Sequence, residues 1–436
     1  MNKSYIGGTL STFQWFIFLL ANAIALPIVI GGAFGLSIEE IASLMQRVFF
    51  IVGISSFLQG VIGHRLPLAD GPAGSWVSIF VMLAAIALQQ TGDPQSALPL
   101  LMGAVFFAGI LLVILGLTGL VQKILFLFSP LVTGTFLLLL GLQLSGVFLE
   151  GMLAVSGDPA VPDYGMVAIA FFVFILVILL SNKGRGWVKS YAVLIGILAG
   201  WIIALITGKA SISSPAQSSV FKLPELFAWG MPQLNAGMIV TAILFSFLII
   251  SNTIAAVTAV SQSIGNDTRN YEKTINRSLF TGGISHFLAA GFSSLAVVPL
   301  PVTAGFLQMT GEKKIKPFLI ASIALAVLAL IPSIVHVLSL LPGPIASAAL
   351  MASFINLIAI ALTSLTKEVL DHRRLSILGI TFLVSMGIMF LPAGIFSTLP
   401  SVIQDVVSNG LLVGTILVIL LEQLWKPQRE TETTKN

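Results

Sequence analysis

The chain has 436 residues, 57% of them hydrophobic and only 9% charged, with a mean hydropathy of +1.04. An ordinary soluble domain carries about 25% charged residues, so the composition excludes a soluble globular protein and indicates an all-α, polytopic membrane protein. The absence of cysteine rules out disulfides, thiolate metal sites and a cysteine nucleophile. The net charge of +4 is that of membrane-flanking loops, not of a nucleic-acid binder.

Windows of roughly 20 apolar residues give fourteen candidate spans. The first seven lie near 13–35, 41–63, 66–89, 97–119, 130–149, 165–181 and 188–207. The second seven lie near 237–260, 276–292, 295–311, 317–338, 343–365, 374–391 and 407–425. The first run, Phe13–Gly35, is too long for a signal-peptide core and has no clear cleavage site, so it reads as a retained span. With a cytoplasmic N-terminus, the inside loops hold eighteen of the 21 Lys and Arg residues, and the outside loops hold only Lys209 and Lys222. Arg47 lies within a span. Every crossing then obeys the positive-inside rule, and both termini are cytoplasmic. The longest loop, 208–235, separates the two sets of seven. An odd number of spans per half forces the halves into opposite orientation, so the pattern predicts a 7+7 inverted repeat.

The first span carries Gln14 and Asn22, with Pro27 breaking its far half. Gln14, near the membrane edge, reads as an interhelical hydrogen-bonding residue. The deeper Asn22 suits either packing or a binding pocket. Arg47 of the second span is explained by snorkelling or by pairing with Glu39-Glu40.

The third span opens with LPLADGPAGSWVSIF, Leu66–Phe80. Pro67 and Pro72 remove helical hydrogen bonds, and Gly71 and Gly74 add flexibility. The stretch is expected to run extended and to turn helical near Ser75. Val297–Phe306, in the tenth span, has the same order of prolines, a small residue, Gly and then helix. Two broken segments in corresponding places point to a transporter binding site. Setting Pro67 against Pro299 brings Asp70 opposite Val302.

Span five, from Ser129, places Pro130 in its first turn and offers Gly134 and Gly141 for close helix contact. Phe227 and Trp229, in the long loop, suit an interfacial aromatic anchor. Span eight is unusually polar, with Ser251, Asn252, Thr253, Thr258, Ser261 and Gln262. Asn252, Ala255, Ala256 and Ala259 share one helical face, which reads as a pocket wall whose amide both donates and accepts. His286 and His336 read as packing and interfacial histidines. No His/Glu cluster has metal-ligand spacing, and phosphate-binding Gly-rich loops, HExxH and GxSxG are absent. Neither a metal, a cofactor nor an enzymatic activity is expected.

Three of these motifs resemble the nucleobase–ascorbate transporter family (nucleobase:cation symporter 2), which includes uracil and xanthine permeases. Pro130, Val132–Thr135 and Leu140–Leu142 are similar to the family's fifth span, the most specific match. Leu66-Pro67 followed by Gly71 resembles its entry to the third span, and Gln14 followed by Pro27 resembles its first. The resemblance implies fourteen segments, with broken third and tenth. A core domain (1–128 and 236–341) would move against a gate domain (129–207 and 342–425), with an extracellular linker at 208–235 and a cytoplasmic tail at 426–436.

It further implies a plasma-membrane transporter that imports a nucleobase, a purine or related base such as xanthine or uracil. The coupling ion would be a proton, and the gate helices a homodimer contact. An anion carrier for sulfate or a carboxylate, or an uncoupled carrier, is the alternative on the same architecture. The substrate would sit between the broken segments, against Gly71, Ala73, Gly74, Pro301, Val302, Thr303 and Gly305, with Asn252 and Asn22 beside them.

The sequence departs from the family at four positions. Trp15 stands where the family has His, Asn252 where it has Glu, and Val302 and Thr303 where it has Glu or Gln and then Asn. That leaves Asp70 as the intramembrane acid and the candidate for proton coupling. Four extended residues at ~3.3 Å each carry it roughly 13 Å inward. The alternative keeps it at the cytoplasmic edge, capping a turn or paired with Arg65.

Overall fold

A computed structural model describes residues 3–127, 129–153, 155–156, 161–211, 220–265, 271–391, 393–396, 399 and 401–425. The first half contains helices α1 (Lys3–Ala23), α2 (Ala25–Ala33), α3 (Ile38–Val61), α4 (Gly74–Thr91) and α5 (Leu98–Thr118). It continues with α6 (Val121–Ile124), α7 (Pro130–Met152), α8 (Tyr164–Lys183), α9 (Trp187–Ser190) and α10 (Ala192–Ile206). The second half contains α11 (Ala236–Ile264), α12 (Tyr271–Gly291), α13 (Val302–Thr310), α14 (Ile315–Leu328) and α15 (Pro332–Ser339). After these come α16 (Gly343–Leu365), α17 (His372–Met389), α18 (Ser401–Val407) and α19 (Gly410–Leu424). Four short strands accompany the helices: β1 (Asp70–Pro72), β2 (Val155–Ser156), β3 (Val161–Pro162) and β4 (Val297–Pro299). They form two antiparallel pairs, β1 with β4 and β2 with β3.

Local chemistry sets the helix ends. Ser37 and Glu40 form a reciprocal capping box on α3, Ser37 N–H donating to Glu40 Oε2 at 2.7 Å and Glu40 N–H to Ser37 Oγ at 3.3 Å. Ser129 caps α7 ahead of Pro130, and Asn235 caps α11 by accepting from Met238 N–H at 2.7 Å. Gly92, Gly119, Gly265 and Gly311 end α4, α5, α11 and α13 in the left-handed conformation.

Among the described residues, seven helices are long and apolar enough to cross a membrane, or eight when α14 and α15 count as one span bent by 88°. The bend falls just before Pro332, whose ring cannot continue a helix hydrogen-bond ladder. The fourteen sequence windows exceed this number for a physical reason. Helices α10 and α19 have 15 residues each and α13 only 9, while α12 is long but polar. The halves are intertwined, because α3 packs on α14, α5 on α12 and α7 on α16. At the α5–α12 crossing, a Cβ on Gly283 would lie 2.6 Å from the Gly109 carbonyl oxygen, and one on Gly109 would lie 3.0 Å from that of Gly283. Only glycine permits that approach.

The crossover loop is pinned along its described part. Lys222 N–H donates to Leu330 O, Phe227 N–H to Gly291 O and Gln233 N–H to Pro99 O, while Gln46 Nε2 donates to Lys222 O at 2.7 Å. Arg47 does not pair with Glu39 or Glu40. Its guanidinium lies 4.9 Å from the centre of the Trp229 ring, and the residue is buried. Glu40 is already held by Ser37, and a cation over an indole face is favourable when desolvated. Trp229 is therefore a partner of α3.

Candidate functional site at the strand pair

Strands β1 and β4 lie at the centre of the bundle, with every residue buried. Their register pairs Asp70 with Pro299, Gly71 with Val298 and Pro72 with Val297. Two flanking bonds extend the ladder, Ala73 N–H to Ala296 O and Leu300 N–H to Ala69 O, both 2.8 Å. Each strand then turns into its helix through the same bond, Trp76 N–H to Ala73 O and Thr303 N–H to Leu300 O, both 3.0 Å. The matching bonds make the two segments equivalent by a local two-fold, with Ala69 corresponding to Ala296, Asp70 to Val297, Pro72 to Pro299 and Ala73 to Leu300.

This register corrects the pairing read from the sequence. Pro67 does not correspond to Pro299, and Asp70 does not stand opposite Val302. Pro67 lies outside the ladder, in a turn closed by Leu68 N–H to Leu66 O at 2.9 Å. The backbone bonds choose Pro72 as the equivalent proline. Val302 opens α13 with half its surface exposed, whereas Asp70 is 1% exposed. The acid therefore occupies a position unrelated to the one at Val302.

Several expected site residues gather at the strand–helix junctions. Gly71, Ala73 and Gly74 lead into α4, and Pro301, Val302, Thr303 and Gly305 into α13. A Cβ on Gly71 would lie 2.6 Å from Leu300 Cδ1, so a larger residue there would have to displace the Leu300 side chain. Asn252 of α11 donates from Nδ2 to Pro299 O at 2.9 Å. It thus anchors β4 and keeps its own carbonyl oxygen available. Thr303 is buried, and its Oγ1 has no hydrogen-bond partner. Gly305 has open space where a Cβ would be. Asn22 is not tied to this group, since its Nδ2 donates within its own helix to Phe18 O at 2.8 Å.

Asp70 faces away from these residues. Its Oδ2 accepts from Ser55 Oγ, and its backbone N–H donates to Ser56 Oγ at 3.0 Å. Ser55 Oγ in turn lies 2.6 Å from Ser285 Oγ of α12. Arg65 forms no ion pair with the acid; its Nε donates to Val61 O at 3.1 Å. Asp70 sits in a serine cradle between α3 and α12.

The sequence reading passed over Ser55, Ser56 and Ser285, and also Phe354 of α16, whose Cζ would lie 3.4 Å from a Cβ on Gly74. The serines carried a usable signal. Ser278, Thr281 and Ser285 recur at helical spacing on α12, facing Ser55, Ser56 and Gln59 on α3. Trp15 packs in an aromatic cluster with Phe18, Phe306 and Phe318. Among the described residues, no three His, Cys, Asp or Glu side chains are placed to hold a metal ion. A cavity of about 430 Å³ lies elsewhere, at the first turns of α12 beside Lys273, Asn276 and Arg277.

With this geometry in view, comparison with known proteins assigns the class. A family model described as "Permease family", of xanthine/uracil permease type, matches residues 8–394. The chain belongs to that family, and is therefore a multi-pass membrane transporter and not an enzyme. It is 30% identical over 431 residues to the putative purine permease YwdJ of Bacillus subtilis, covering 96% of this chain and 97% of that one. It is 25% identical over 427 residues to the xanthine permease of the same organism, covering 96% and 94%. Among solved structures it resembles the transmembrane domain of the cyanobacterial bicarbonate transporter BicA. That match has a TM-score of 0.57 at 15% identity and covers 94% of this chain and 96% of that one. It concerns the fold alone.

Proposed function

We propose that this chain is a proton-coupled secondary transporter that imports a purine-type nucleobase across the plasma membrane. The observation that carries the reading is the two-fold pair of strands feeding α4 and α13, found in a chain whose relatives are named purine and xanthine permeases. The positive dipole ends of the two helices that start there suit the carbonyl and ring-nitrogen acceptors of an oxidised purine. Asn252 Oδ1 and Thr303 Oγ1 add a side-chain acceptor and a hydroxyl. Gly71, Ala73, Gly74, Pro301, Val302 and Gly305 contribute backbone and shape, with Asn22 at the margin. Asp70 carries the coupling proton.

On this reading the chain has fourteen segments in two inverted sets of seven, the third and tenth broken at β1 and β4. The core domain comprises 1–128 and 236–341, the gate domain 129–207 and 342–425, and both termini are cytoplasmic. Core moves against gate in alternating access, and the gate helices supply a homodimer contact.

Uptake of radiolabelled xanthine into cells expressing the chain, competed with unlabelled purines, pyrimidines and sulfate, tests the proposal. Competition by purines alone is the expected result. Competition by sulfate with no effect of purines would assign an anion carrier instead.

A further inference from the structure

Between α3 and α12 runs a polar seam that substrate binding at the strand pair does not use. Ser55, Ser56 and Gln59 on α3 face Ser278, Thr281 and Ser285 on α12, and all six are at most 1% exposed. Gln59 and Ser278 hold each other reciprocally, Gln59 Nε2 donating to Ser278 O at 2.9 Å and Ser278 Oγ to Gln59 Oε1 at 3.2 Å. The remaining groups lead to Asp70. Ser55 Oγ touches both Asp70 Oδ2 and, at 2.6 Å, Ser285 Oγ, and Ser285 Oγ lies 3.1 Å from Thr281 O.

Counting hydrogens along this row gives two complete arrangements. With Asp70 ionised, Ser285 O–H donates to Ser55 Oγ, and Ser55 O–H donates to the carboxylate. With Asp70 protonated on Oδ2, its O–H donates to Ser55 Oγ, Ser55 donates to Ser285 Oγ, and Ser285 turns to the Thr281 carbonyl. Every hydroxyl keeps one acceptor in both states, and no heavy atom moves. A purely structural cradle needs only one of these arrangements.

No charged side chain among the described neighbours neutralises Asp70. Helix α1 has only Lys3 and Tyr5, at its start, and α4, α11 and β4 have no titratable residue. Helix α3 carries Glu39, Glu40 and Arg47 toward its opposite end, with Arg47 against Trp229. After it, His64 Nδ1 accepts from Leu66 N–H and Arg65 binds Val61 O. Helix α12 carries Glu272, Lys273 and Arg277 in its first turns and His286 beside Ser285, with His286 Nδ1 2.8 Å from Gly282 O. No described cation pairs with the acid.

We infer that Asp70, Ser55 and Ser285 form a reversible proton relay, and that the coupling proton reaches and leaves Asp70 along the α3/α12 seam instead of through the substrate cleft. The inference rests on the proton-coupled reading above. On release, the Asp70 proton passes to Ser55 Oγ as the Ser55 proton passes to Ser285 Oγ. The Ser285 proton goes to a water molecule admitted beside the Thr281 hydroxyl, a buried group with no partner. One proton leaves and the carboxylate regains its charge.

Proteoliposomes of the full chain, loaded with a pH-sensitive dye and given external xanthine, report the proton directly. Xanthine counterflow without a gradient reports substrate exchange. We expect Asp70→Asn to abolish xanthine-driven acidification while counterflow persists. Ser55→Ala and Ser285→Ala should slow acidification by on the order of tenfold to a hundredfold, as for loss of a proton-transfer group, with counterflow retained. Ser285→Thr, which keeps the hydroxyl, should restore the rate. Normal acidification by Ser285→Ala, or equal loss in Ser285→Ala and Ser285→Thr, overturns the relay. Normal acidification by Asp70→Asn overturns the role of the acid. Failure of the unsubstituted chain to move xanthine fails the transport reading itself.

Discussion

The two segments that cross at the centre of the molecule are alike in backbone and unlike in side chain. Both run extended, exchange matching N–H···O bonds, and enter a helix through the same turn. Yet Asp70 in the first corresponds to Val297 in the second, and Trp76 to Thr303. The symmetric part gives two helix starts, and the asymmetric part puts one acid against serines. On the proposed function, recognition and charge fall on opposite faces of one strand pair.

The largest test exchanges the two equivalent positions. Val297 is 1% exposed, and Val297→Asp buries a second carboxyl at a cost of about 3 kcal/mol or more. A loss of folded protein and a lower Tm in detergent should report it. The reverse change, Asp70→Val, should hold or raise Tm, since replacing a buried acid by an apolar residue is often neutral or stabilising, while ending proton-driven accumulation.

Gly71→Ala drives its new methyl into Leu300 and should cost about 1–3 kcal/mol. Leu300→Ala in the same chain should recover part of that cost, measured again by Tm. Asn252→Ala removes the bond to Pro299 O, about 1 kcal/mol of stability, and should raise the KM for xanthine more than it lowers Tm.

The smallest effect belongs at the periphery. Lys209, hydrogen-bonded to Asp163 at 2.8 Å, holds that exposed carboxyl below the usual range. A carboxyl whose folded pKa is depressed contributes its stability above the unfolded value, about 3.9, and loses it as pH falls through the folded one. Asp163→Asn should leave uptake unchanged, lower Tm only slightly at pH 7, and converge with the unsubstituted chain as pH falls through the folded carboxyl's range.

Much of this was legible in the sequence, and the shortfall has identifiable causes. The helix breakers around Pro72 and Pro299 located the strand pair, because proline and glycine act locally. The register was misread for the same reason: Pro67 and Pro72 look alike in sequence, and only the ladder between distant segments distinguishes them. Asn252 stood out in the sequence as a polar residue of span eight, but its bond to Pro299 O spans 47 positions. Asn22 was equally prominent and turned back onto its own helix. The seam escaped notice because single serines are common in membrane helices. Their meaning emerges when α3 and α12 face each other.

The reciprocal contact of Gly109 and Gly283 has a mechanical consequence. Two helices that meet backbone to backbone are keyed like splines. Sliding one by a residue would drive a side chain into a carbonyl, so α5 and α12 must translate and rotate together. Since α12 also carries Ser285 while Ser55 lies on α3, any movement of this keyed block against α3 would open or close the contact between the two serines.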